Sequence, residues 1–340
     1  MYDENLKQFE EDLLAPSPAL ITDIQKIQGD MMFLGIGGKM GPSMATLAVR
    51  AIQAAGIQKR VIGVSRFSDK EVEQSLNKLG IETIACDLLD QEQLQQLPQV
   101  PNIIYLAGHK FGTTGNEDFT WAMNTFLPGM VASHFKTSNI VAFSSGNVLP
   151  FVPATDGGVS EEITPEPIGE YAQSCLGRER IFEYFSKKNG TPTLIYRLNY
   201  AVDFRYGVLV EIAKAVKEQR PIDLTSQNVN VIWQGDANEI ALRSLLHCTS
   251  PAKILNVTGP EILSTRWIAA RFGEHFGIRP TFVNLPAETA LLNNASECHR
   301  LFGYPRTTIR EAIDITAKWL MKGGDIWNKD THFQERKGKF

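Results

Sequence analysis

Tyr171 lies near the start of the segment "EYAQSCLGRERIFEYF", residues 170–185, whose spacing predicts a helix. A phenol held on a helix can pass a proton to or from a substrate oxygen. Its reference pKa of about 10 leaves only about one in a thousand ionised at neutral pH, and a neighbouring cation raises that fraction. The residue one turn along is Cys175, a thiol that stays neutral when buried without a cation. Arg178 shares a similar helical face but lies nearly two turns from the tyrosine. The tyrosine is therefore equipped to act as an acid and poorly equipped to act as a base.

Phosphate chemistry is suggested by "MMFLGIGGKMGPSMATLAVRAI", where Gly35, Gly38 and Gly41 stand at a strand-to-helix turn with the spacing GxxGxxG. Glycines there let the chain turn sharply, bring backbone close to a pyrophosphate and pack the helix near the strand. Free amides and the positive end of the helix dipole then face the phosphates, with Lys39 and Met40 inside the same loop. The pattern predicts a dinucleotide site. At the end of the next strand, "RVIGVSRFSD" offers Ser65 and Arg66 where an acid would grip the ribose of NAD. A guanidinium suits a 2'-phosphate instead, which favours NADP over NAD.

These groups need a scaffold, and the hydrophobic pattern supplies one. Apolar runs without polar alternation, "MMFLGI", "RVIGVS", "ETIACD", "NIIYLAG", "NIVAFSS" and "PTLIYRLN", read as parallel strands buried on both faces. Helical segments ending in glycine separate them, as "GPSMATLAVRAIQAAG" does. The fold class is α/β, a Rossmann-type doubly wound parallel sheet with a smaller, mostly helical, discontinuous C-terminal substrate lobe. The expected division is a helical extension over 1–30, with helices at 4–14 and at "ALITDIQKI", then a dinucleotide-binding domain of 31–198 and 228–258. The substrate lobe takes 199–227 and 259–321, and 322–340 is a polar tail.

The chain's 340 residues, 43% apolar and 21% charged, suffice for a sizeable core. A formal net charge of -4 gives no electrostatic reason to expect nucleic acid or an anionic membrane as partner. Cys86, Cys175, Cys248 and Cys298 are scattered without a CxxC pair, and neither they nor the histidines show metal-ligand spacing. The acidic, amphipathic N-terminus is unlike a secretory signal, and no apolar run approaches the roughly 18 residues that span a bilayer. The expectation is a cytoplasmic protein with no metal.

With these motifs in this order, residues 31–320 resemble the extended short-chain dehydrogenase/reductases, the NAD(P)-dependent sugar epimerase and dehydratase family. The resemblance implies that the glycine loop binds the cofactor and that Asp87 and Leu88 of "CDLLD" contact its adenine side. In "IIYLAGHK", Ala107, Gly108 and Lys110 fall at cofactor-binding positions, the lysine at the phosphate. Asn124 of "WAMNTFLPGMV" matches a structural asparagine of the catalytic set. Ser145, three residues before Val148 in "FSSGNVLPF", matches the residue that polarises the substrate carbonyl, and Tyr171 the proton donor or acceptor. Asn147 and Asn199 would line the substrate side. Relatives commonly dimerise through the helix bearing the tyrosine and the one before it, so a homodimer is implied as well.

Two departures stand out. The family's YxxxK, whose lysine holds the nicotinamide ribose and lowers the tyrosine pKa, reads Tyr171-Ala-Gln-Ser-Cys175. Val229, followed by Asn230, stands where nucleotide-sugar enzymes carry the arginine that grips the diphosphate, which argues against a nucleotide-sugar substrate. The reading is an NAD(P)-dependent enzyme acting on a carbohydrate-like or other small hydroxy/keto molecule. Its rival is a dinucleotide-binding regulator or redox sensor in which Ser145 and Tyr171 are relics.

Overall fold

The computed structural model describes residues 14–327, 329 and 331–339. The helix expected over 4–14 lies, save Leu14, outside the described residues. The second expected helix is α1 (Pro18–Lys26), where Ser17 caps by accepting from the Leu20 amide at 3.0 Å and proline occupies the first turn. The alternation read from the sequence then follows as β1 (Met31–Leu34), α2 (Gly41–Ala54), β2 (Val61–Ser65), α3 (Lys70–Lys78), β3 (Glu82–Ala85), α4 (Gln91–Gln95) and β4 (Asn102–Tyr105). Next come α5 (Glu117–Trp121), a π-helical turn over Ala122–Phe126, α6 (Leu127–His134), β5 (Asn139–Ser145), α7 (Gly169–Asn189) and β6 (Thr193–Leu198).

Seven strands form one sheet in the order β11-β6-β5-β4-β1-β2-β3, with β11 at Lys253–Val257. The register is parallel from β3 through β5, with Leu34 opposite both Val64 and Tyr105. β1, β4 and nearly all of β5 are buried on both faces, whereas β3, which closes the sheet's edge, is exposed at both ends and half-buried between. The direction of winding reverses between β1 and β4. Ligands of doubly wound folds bind outside the carboxyl ends of the strands at such a reversal.

The chain divides into two compact, discontinuous units. The first takes the residues up to Ser144, Glu170–Tyr196 and Asn238–Ile254. Its core joins Met32, Leu34, Ile62, Ile103 and Tyr105 of the strands to Leu127, Val131 and Phe182 of the flanking helices.

The second takes Ser145–Gly169, Arg197–Ala237 and the residues from Leu255 onward. Short strand pairs link β7 (Ala201–Val202) with β10 (Ile232–Trp233), β8 (Ile222–Asp223) with β13 (Phe282–Val283), and β9 (Asn228–Val229) with β12 (Leu263–Ser264). Between these lie α8 (Val208–Lys217) and the start of α9 (Gln234–Arg243), whose residues from Asn238 on belong to the first unit, and beyond β12 come α10 (Thr265–Phe276), α11 (Ser296–Phe302) and α12 (Ile309–Met321), the last opened by a Thr308/Glu311 capping box. Phe204 packs on Trp319 with ring centroids 4.5 Å apart, and the Arg205 guanidinium covers both rings. Polar as it is, the tail packs along this unit. Thr331 is bonded to Glu211, Phe333 is buried, and Arg336 lies over the Phe151 ring while donating to Thr289. Gly338 ends against Gly169, the first residue of α7, so closely that a Cβ on either would overlap the other's backbone.

Candidate functional site

The glycine loop lies where the sheet reverses. Gly35 adopts φ +88°, and a Cβ on it would come within 2.8 Å of the Ala107 amide nitrogen, so both torsion and space demand glycine. Gly41 starts α2 against Ile36, whose carbonyl oxygen would lie 2.1 Å from an added Cβ. Gly38 differs. A Cβ there would meet only the Gly35 oxygen, at 3.4 Å, which is ordinary contact. The protein's own packing gives no reason for glycine at this position, whereas a ligand approaching the loop would.

A cavity of about 300 Å³ opens beside it, lined by Gly35, Gly38, Arg66, Asp87, Leu88, Ala107 and Gly108 of the predicted residues. Lys39, Met40 and Gly41 continue into α2 and are not on its lining. Ser65, noted as Arg66's neighbour, also lines it, as do Gly37, Ser68, Phe119 and Met123, which sequence reasoning missed. Arg66 is exposed, and the Asp87 carboxylate turns the loop by accepting from the Leu89 amide at 3.1 Å.

Asn124, in the π-helical turn, organises the neighbouring cluster. Such turns reposition a side chain at the cost of regular bonding. The Asn124 oxygen accepts from the His109 amide at 2.8 Å and from Arg178 Nη2 at 2.6 Å. Its nitrogen donates to the His109 carbonyl at 2.8 Å and to Ser174 Oγ at 3.0 Å. One buried amide thereby holds the loop after β4 to the helix that carries Tyr171. Thr125 adds a bond to the Ser174 carbonyl, close to α7 where Gly177 leaves room.

Arg178, on α7, does not extend along the helix to Tyr171. It is buried, donating Nη1 to the Phe143 carbonyl at 2.8 Å and Nε to the Asn124 carbonyl at 3.3 Å, so its fork is committed to structure. Cys175 is fully buried, and that burial pushes its thiol pKa up, with nearby Arg178 and the Tyr171 hydroxyl opposing; the thiol is neutral. A different cation lies at the tyrosine. Lys110 Nζ is 5.6 Å from the centroid of the Tyr171 ring and 5.3 Å from that of Phe111. Burial lowers the Lys110 pKa to about 8.

In the second unit, Ser145 Oγ donates to Asn147 Oδ1 at 2.9 Å and accepts from the Asn147 amide at 3.2 Å. Asn199 donates to Asn230, and Asn230 to the Asn293 carbonyl, all three buried. The turn between Ser145 and Asn147 lies against these amides: a Cβ on Gly146 would fall 2.8 Å from Asn199 Oδ1 and 2.7 Å from Asn293 Nδ2. Val229 is buried in β9 opposite Leu263. Asn293 carried no signal in the sequence, since "LLNNAS" has neither motif nor periodicity.

No family model and no curated protein sequence matches the chain. Solved structures do. A UDP-glucuronic acid 4-epimerase variant from Bacillus cereus, in complex with a fluorinated UDP-sugar and NAD, is similar with TM-score 0.72 and 18% identity, covering 86% of this chain and 99% of that one. The UDP-glucose 4-epimerase of Thermus thermophilus, in complex with NAD, gives 0.68 and 18% over 85% and 98%. An epimerase from Methanothermobacter thermautotrophicus gives 0.70 and 16% over 90% and 96%. The fold is that of the UDP-sugar 4-epimerases. Within it, the glycine loop and the β4 end lie at the sheet's reversal, and α7 carries Tyr171. Among the described residues no helix is long and apolar enough to cross a membrane.

Proposed function

We propose that the chain is an NAD(P)-dependent enzyme of the extended short-chain dehydrogenase/reductase type. It would act as an oxidoreductase, epimerase or dehydratase on a carbohydrate-like or other small hydroxy/keto molecule. The observation that carries this reading is Gly38, a glycine the protein's packing does not require, beside a cavity at the reversal of the sheet. Gly35, Gly38, Lys39, Met40 and Gly41 hold the pyrophosphate, Asp87 and Leu88 the adenine side, and Ala107, Gly108 and Lys110 the middle of the dinucleotide. Arg66 meets a 2'-phosphate, so NADP is preferred. The bound nicotinamide supplies reversible hydride transfer. Tyr171 gives or takes the substrate proton, Ser145 hydrogen-bonds the same oxygen, and Asn147 and Asn199 meet substrate hydroxyls.

The buried Val229, with Asn230 engaged by its neighbours, supports a substrate without a nucleotide diphosphate. Self-association is supported by the apolar face of the first unit lined by Trp121, Phe126, Ile181 and Phe185, where Phe126 is 63% exposed. Sedimentation at increasing concentration tests it.

Gly38→Ala tests the cofactor reading, because the structure has room for the methyl group. Its thermal midpoint should stay within about 1 °C of wild type, while NADPH binding by calorimetry weakens about tenfold or more. Unchanged binding, or none by the wild type, overturns the reading. With binding intact, keto-sugars and UDP-sugars are then screened for NADPH reoxidation. Binding without turnover of any would favour the dinucleotide-binding regulator, to which the neutral Cys175 belongs.

A further inference from the structure

The helix that carries Tyr171 offers a neutral thiol where a cation would serve proton transfer, and its Arg178 is spent on backbone carbonyls and Asn124. We propose that Lys110, on the loop after β4, supplies the positive charge that favours ionisation of Tyr171, a task that in YxxxK enzymes belongs to the residue at 175. This rests on the reading of Tyr171 as the proton-transfer residue and adds a positioning role for a lysine otherwise assigned to the cofactor.

Three observations carry it. The Lys110 ammonium lies over the Tyr171 ring at 5.6 Å, a cation–π separation, and becomes a charge–charge contact once the phenol ionises. The loop that aims it is held from two sides. Asn124 binds both backbone groups of His109, and the Arg178 guanidinium abuts Gly108 so closely that a Cβ there would lie 2.6 Å from Nη2. Finally, full burial keeps the Cys175 thiol neutral beside the pair, so residue 175 contributes no competing charge.

The titratable groups around the pair are His109 on the loop, Tyr105 from β4, and Cys175, Arg178 and Glu179 on α7; Glu179 accepts a hydrogen bond from Ser144 at 2.6 Å. Arg178 acts on Tyr171 through space, and its field is common to every variant below. Lys110 itself is cationic below about pH 8. At this separation an ionised Tyr171 and a protonated Lys110 would titrate as a coupled pair.

The test follows Tyr171 directly in the ligand-free protein, with tyrosine isotope-labelled at Cζ and the resonance assigned by Tyr171→Phe. The wild-type midpoint should lie at least about one pH unit below that of Lys110→Met, and Lys110→Arg should keep it low. Equal midpoints in wild type and Lys110→Met overturn the proposal. Should Lys110→Met fail to fold, Lys110→Gln is judged by the same criterion. Calorimetry with NADPH on the same wild-type sample separates the two readings. Absence of binding strikes the dinucleotide assignment, while the Tyr171 midpoint decides the role of Lys110.

Discussion

The side-chain amide of Asn124 grips both backbone groups of His109, oxygen to N–H and nitrogen to carbonyl, each at 2.8 Å. The same amide oxygen satisfies Arg178. Asn124→Ala should therefore leave a buried guanidinium and two backbone groups short of partners, costing about 3 kcal/mol in urea denaturation. It should also raise the Tyr171 midpoint, because Lys110 loses its anchored loop.

Restoring a lysine at position 175 is expected to harm the wild type. Cys175→Lys would place a third cation beside Lys110 and Arg178 in a buried site. Adding Lys110→Met should recover stability, with a coupling of about 1 kcal/mol or more in a double-mutant cycle. Simple additivity would mean that the two positions do not share an electrostatic role.

Lys110 also leaves a mark on stability. Its pKa is about 8 in the folded protein, depressed by burial, against about 10.5 in the unfolded chain. Between those values the unfolded chain binds more protons, so stability rises with pH across that window. Below about pH 8 the full penalty of the half-buried charge is present. Measured in a Tyr171→Phe background to remove the coupled phenol, Lys110→Met should gain about 1 kcal/mol at pH 7, a figure discounted for residual exposure, and the gain should fade toward pH 10.

Arg66 is exposed on the cavity rim. Arg66→Ala should weaken NADPH about tenfold and leave NADH and the melting temperature unchanged. Equal losses for both cofactors would remove its assignment to the 2'-phosphate.

The tail is expected to be structural. Phe333, 3% exposed, should cost about 3 kcal/mol on change to Ala, as other buried phenylalanines do. A midpoint of denaturation unmoved by this change would mean that the tail contributes nothing to the second unit's core.

Six of the seven sheet strands were legible as compact apolar runs in the chain, although β3, at the sheet's edge, is not buried. Gly35 and Gly41 were legible for a related reason, since a sharp strand-to-helix turn admits few other residues. The destination of Lys110 was not. Residues 106–116 carry no periodicity, and the direction of their side chains is set by Asn124 and Arg178, far along the sequence. The π-helical turn escaped in the same way, because "WAMNTF" satisfies ordinary helical spacing. Asn230 and Asn293 belong to a network between segments that only folding brings side by side. Arg178 was placed on the right face of its helix, but its carbonyl partners could not be named from spacing.

The position of Lys110 on a loop, apart from the tyrosine's helix, bears on how such a site could have arisen. A forebear with lysines at both positions could lose the one at 175 in a single substitution and never pass through a form lacking a cation at Tyr171. The reverse order, with Lys110 arriving after the loss, would require an interval without one. On the proposed role of Lys110, the first order alone keeps a cation at the tyrosine throughout.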